Sequence, residues 1–164
     1  MSVSSSIINK VGGDTHEIKI DGATIAANGA YADGDLIGGK IELTDAMRVK
    51  GGSGYLVSII LKDKSAQNAE LDIVLFGKNP QNTVFTDNSP LDVNDTDLDE
   101  ILGVFKIETT DYTDFVDNSV ATKSVLVDIK AFANTQNLYA AIISRGTPTY
   151  AESALSIKLG IERN

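Results

Sequence analysis

Residues 155–162 read Leu155-Ser156-Ile157-Lys158-Leu159-Gly160-Ile161-Glu162, with an apolar side chain at every second position and a polar or small residue between. Successive side chains of an extended strand point to opposite faces of a sheet, so this stretch offers one face to a core and one to water. The same period of two recurs along the chain. His16-Glu17-Ile18-Lys19-Ile20 and Lys40-Ile41-Glu42-Leu43 carry it over short runs, and Tyr55, Val57, Ile59 and Leu61 carry it over a longer one. Leu71, Ile73 and Leu75 oppose Asp72, Val74 and Phe76, while Val125, Val127 and Ile129 oppose Leu126 and Asp128. The run from Leu138 to Arg145 is apolar at both parities over most of its length, which suits a central strand covered on both faces.

Turn chemistry fills the intervals. All three prolines (Pro80, Pro90 and Pro148) and the pairs Gly38-Gly39 and Gly51-Gly52 fall between alternating runs. Helical periodicity is scarce. The best candidate is Asp95 to Leu102: Thr96 is placed to cap it with Asp99 three residues on, Leu98, Ile101 and Leu102 share a helical face, and Gly103 stops it. Eight or nine short strands separated by Gly and Pro turns predict an all-β chain. The expected form is a single β-sandwich, jelly-roll-like, with one short helix in a long acidic connection. Residues 15–164 form that sandwich, and residues 1–14 precede it as an extended N-terminal arm with a small apolar patch of Ile7, Ile8 and Val11.

The chain has 164 residues, enough for one domain that buries roughly 70% of the surface its unfolded form exposes. It has no cysteine, which excludes disulfides, thiolate nucleophiles and cysteine metal sites. The start lacks the charged and apolar regions of a signal peptide, and the longest apolar runs are about six residues where a membrane helix needs about 20, so no membrane is expected as a partner. The net charge of −9 is concentrated: residues 79–122 hold ten acidic side chains and one basic one, Lys106. Such a segment repels a phosphate backbone, so nucleic acid is not an expected partner. A solvated, solubilising face accounts for it most simply.

Catalytic patterns are missing. His16 is the single histidine, without the neighbours of a triad or a metal site, and reads as a strand residue at the solvent edge. No serine sits in a Gly-x-Ser-x-Gly elbow, and Gly34–Lys40 lacks the spacing of a phosphate loop. The run Asp92-Val93-Asn94-Asp95-Thr96-Asp97-Leu98-Asp99-Glu100 has the composition of a calcium loop without its glycine at position six or its glutamate at position twelve; capping and turn formation explain it better. No cofactor, metal or catalytic residue is expected, and the chain reads as a structural or binding module rather than an enzyme. Arg145-Gly146-Thr147-Pro148-Thr149-Tyr150 reads as a turn, with Arg145 finishing its strand.

Three stretches resemble small proteins encoded among the head genes of tailed bacteriophages: GGKIELTDAMRVKGGSGYLVSIILKD (Gly38 to Asp63), AELDIVLFGKNPQNTVFTDNSPLDVNDTDLDEILGVFKI (Ala69 to Ile107) and LYAAIISRGTPTYAESALSIKLGI (Leu138 to Ile161). The phrases NPQNTVFTDN and SRGTPTYA are the most distinctive. The resemblance implies a virion structural protein, a head decoration (cement) protein that sits as a homotrimer on the outer surface of the head and has the major capsid protein as its partner. On that reading Ile7, Ile8 and Val11 of the arm are the capsid-contact candidates. A lectin-like, carbohydrate- or receptor-binding sandwich on the virion surface is the alternative.

Overall fold

The structure, a computed structural model, describes residues 14–164. Every alternating run becomes a strand. The strands are β1 (Asp14–Ile20), β2 (Gly29–Ala30), β3 (Ile41–Leu43), β4 (Ser53–Asp63), β5 (Leu71–Phe76), β6 (Ile101–Ile107), β7 (Tyr112–Asp114), β8 (Ser119–Lys130), β9 (Leu138–Ser144), β10 (Thr149–Tyr150) and β11 (Leu155–Arg163). Helix is limited to α1 (Gly22–Ile25) and two 3₁₀ turns, Asp95–Glu100 and Thr109–Asp111.

Two sheets make the sandwich, one ordered β1-β11-β4-β8-β7 and the other β3-β9-β5-β6. Their pairing has a simple physical origin. With β2, β7 and β10 set aside as additions to an eight-strand frame, the first strand of that frame pairs with the last (β1·β11), the second with the seventh (β3·β9), the third with the sixth (β4·β8) and the fourth with the fifth (β5·β6), all antiparallel. These are the rungs of one long hairpin. Rolling that ribbon brings β11 beside β4 and β9 beside β5, which are the two remaining pairings. The result is the double Greek key of a jelly roll.

The core fills the space between the sheets. Ile59, Leu61, Ile157, Leu159 and Ile161 face it from the first sheet, and Leu71, Ile73, Leu75, Leu138 and Ile142 face it from the second. Burying one such side chain contributes about 1.5–3 kcal/mol, so the interleaved rows are the main source of stability. The second sheet is also covered outside. Val74 and Phe76 of β5 and Ala141 and Ile143 of β9 bury with Leu36 in a separate cluster, against Phe85, Leu91 and Val93 from the connection between β5 and β6. Phe76 meets Phe85 edge-on with ring centroids 6.2 Å apart. The two-sided apolar character of β9 is therefore used on both faces, and the 77–100 connection forms a third layer.

Two expectations change and one lies beyond the described residues. Asp14, placed with the arm by its sequence, is the first residue of β1 and pairs with Arg163. Ile7, Ile8 and Val11 lie outside the described residues. The expected helix at 95–102 is a 3₁₀ turn capped by Asn94, whose side chain accepts the Thr96 amide, so Thr96 is not the cap. That turn buries Asp97 and Glu100 while Leu98 stays half exposed, and Ile101, Leu102 and Gly103 already belong to β6. A short turn whose carboxylates find donors beneath them satisfies more polar groups than an amphipathic helix would at this place.

Candidate interaction surfaces

The third layer is pinned by carboxylates. Asp97 reaches under the loop and accepts hydrogen bonds from the Asn82 amide (2.9 Å), the Thr83 amide (2.7 Å), the Thr83 hydroxyl (2.7 Å) and the Asn82 side-chain amide (3.2 Å). The group is out of contact with solvent, but its cover is the loop alone. Burial would raise its pKa; the donors of Thr83 and Asn82 outweigh that and hold the carboxyl below its ordinary value. Glu100, also buried, pairs with Lys78 at 2.7 Å. Asp87 accepts the Gly38 amide (2.6 Å) and the Tyr31 hydroxyl (3.0 Å), tying the layer to the segment after β2. The acidic run thus divides: Asp97 and Glu100 turn inward, while Asp92, Asp95 and Asp99 face solvent beside the exposed Val84 and Leu98. Two carboxylates of the run, Asp97 and Glu100, are committed to protein donors. Among the described residues no group of three or more His, Cys, Asp or Glu side chains is arranged to hold a metal ion.

The first sheet leaves its outer face open. Tyr55, Ile60 and Lys62 of β4 lie there with Thr122, Leu126 and Asp128 of β8, and Leu126 is 75% exposed. A bulge between Leu56 and Ser58 interrupts the register of β4 against β8 at Val57. Among the described residues strand β1 is one edge of that sheet, opposite β7, and bears Thr15, Glu17 and Lys19 outward. Glu17 lies 3.2 Å from Lys158 and 3.3 Å from Lys19, and the hydrogen bond from Lys158 leads in lowering its pKa. Alternating charge along an edge discourages indiscriminate strand pairing while leaving main-chain groups free for a specific partner.

The two ends of β8 differ sharply. Before it, the β7–β8 hairpin closes through the Phe115 amide, which donates to the Asn118 carbonyl at 2.7 Å. Its tip, Asp114-Phe115-Val116-Asp117, is wholly exposed: Phe115 retains 60% of its surface and Val116 all of it. After β8 lies a cleft of about 500 Å³ lined by Lys50, Gly51, Leu102, Lys130, Ala131, Phe132 and Ala133. Lys78 stands 5.5 Å from the centre of the Phe132 ring.

His16 sits half-buried on edge strand β1, opposite Ile161, as a strand residue. Strand β9 ends at Ser144, and Arg145 follows it in the turn, where its guanidinium binds the buried Asp72 at 2.7 Å. Sequence patterns point to neither the tip nor the cleft. The tip leaves one trace, an adjacent Phe and Val between aspartates that neither turn chemistry nor alternation accounts for. The cleft leaves none, because its walls come from separate segments of the chain.

No protein-family model matches the chain, and no curated protein matches it. A solved structure similar to it belongs to a marine algae virus of the order Picornavirales, at 11% identity and a TM-score of 0.24, covering 99% of this chain and 73% of that one. Likeness of that degree is no argument for fold or role; the jelly-roll assignment stands on the strand order itself. Among the described residues no helix is long and apolar enough to cross a membrane.

Proposed function

We propose that this chain is a virion structural protein of a tailed bacteriophage, a decoration (cement) protein that binds the outer surface of the head and stabilises the shell. The observation that carries the reading is the strand order, because a jelly roll is the topology that the resemblance of the 38–63, 69–107 and 138–161 segments implies. Jelly rolls also serve lectins and small-molecule enzymes, so the fold alone does not choose among them. The surface supports a protein partner. Exposed Tyr55, Leu126, Val84, Leu98, Phe115 and Val116 are spread over several faces of a rigid body, as contacts with several neighbours require. The third layer adds stiffness, because its long loop is fastened by Asp97, Glu100 and Asp87 and loses little entropy on docking. Strand β1, an edge strand among the described residues, offers main-chain groups that a capsid subunit can pair with.

Purified protein mixed with heads lacking it and sedimented should bind saturably, at a fixed ratio to the major capsid protein, and raise the temperature at which the shells open. Removing residues 1–13 should weaken that binding. Failure to sediment with heads, together with chelator-sensitive binding to glycans, would replace this reading with the lectin-like one.

A further inference from the structure

The geometry points to a contact between copies of this chain, in which the hairpin tip Asp114-Phe115-Val116-Asp117 of one molecule enters the Lys50–Lys130–Phe132 cleft of the next. The inference stands on the surface alone and does not require the shell-binding role. The tip presents two apolar side chains to water between two carboxylates. The cleft presents the converse: its lining combines the apolar Leu102, Ala131 and Phe132 with the two basic residues Lys50 and Lys130. Among the described residues neither lysine forms an ion pair, although the chain carries nine more negative than positive charges. Its volume, about 500 Å³, falls within the 300–1,000 Å³ range of pockets that enclose small apolar groups. Charge and polarity are thus complementary, an acidic and apolar tip against a basic and apolar cleft.

Tip and cleft cannot meet within one molecule. They flank opposite ends of β8, whose twelve residues set them roughly 35 Å apart. The contact is therefore heterologous, and it builds a ring if successive rotations close and an open chain if they do not. A two-residue plug buries less than the ~1,200 Å² of a stable interface, so association is weak, concentration-dependent and sensitive to salt.

The absence of cysteine makes the test direct. Val116→Cys and Ala133→Cys, both exposed positions, are made singly, mixed in equal amounts and oxidised mildly. The expected result is a mixed disulfide between positions 116 and 133 well in excess of the half that random collision gives. A random distribution, or a preference for like-with-like pairs, overturns the proposal. Sedimentation of the full chain supplies a second readout. The double substitution Lys50→Glu and Lys130→Glu should weaken self-association by about tenfold or more at low salt. Adding Asp114→Lys and Asp117→Lys to it should restore the association. If the lysine reversal leaves self-association untouched, or the swap fails to restore it in a chain whose circular dichroism is unchanged, the cleft serves another partner and the proposal falls.

Discussion

Asp97 accepts four hydrogen bonds from Asn82 and Thr83, and no other side chain of the acidic run is held so closely. Replacement by asparagine keeps the volume and one acceptor oxygen for the two backbone N–H groups, but removes the charge that strengthens those bonds and sets an NH₂ against the side-chain amide of Asn82. We expect Asp97→Asn to leave the sandwich folded and to raise hydrogen exchange at the Asn82 and Thr83 amides. The folded pKa of Asp97 lies below the unfolded value of about 3.9, so its contribution is full above that pH and is lost as pH falls through the lower folded value. Acid unfolding of the Asp97→Asn variant should accordingly show a shallower loss of stability below about pH 4. Tyr150 is the opposite case. Its ring packs at 6.1 Å from that of Tyr31, its hydroxyl is buried without a partner, and burial pushes its pKa up. Tyr150→Phe should be neutral or stabilising by up to about 1–3 kcal/mol in urea unfolding, since no hydrogen bond is lost and a desolvated hydroxyl is removed. The sequence marks the acidic run as turn-forming but not which members turn inward, because that depends on Asn82 and Thr83, which approach only after folding.

At the scale of elements, period two guides well where one face is buried, as β1, β8 and β11 show, but it slips in β4, where the bulge at Val57 puts Leu56 in the core and Tyr55 on the face opposite Ile59 and Leu61. It also separates the two faces of β5, where Leu71, Ile73 and Leu75 enter the main core and Val74 and Phe76 enter the outer cluster. Helical spacing misleads at 95–102, where an accidental i, i+3 relation of Leu98 and Ile101 joins a turn to a strand. Connections are held by backbone geometry that patterning does not reveal. Gly38 has φ +74°, and a Cβ there would collide with the Ile25 carbonyl. Gly38→Ala should therefore cost at least about 1–3 kcal/mol, read by thermal unfolding, and should displace the backbone amide that donates to Asp87. An equivalent change at Gly146, whose Cβ would meet nothing, should be nearly silent.

For the whole molecule, alternation assigns faces but not neighbours, so the count of eight or nine short strands suggests a jelly roll while the strand order itself is not written in the residues. The rolled hairpin explains that order with one operation, and it leaves the β1 edge and the two ends of β8 as places where a partner can attach. Surfaces of this kind are formed by residues far apart in the chain, which is why the Lys50–Lys130–Phe132 cleft has no sequence signature. Shell decoration makes a demand on numbers that a ligand-binding or tail role does not. Every equivalent site on a symmetric head must be filled. The most direct measurement is the copy number of this protein in purified virions, by quantitative mass spectrometry against the major capsid protein. The account predicts a ratio near one, or a simple fraction such as one third; a handful of copies per virion, or none, would contradict it.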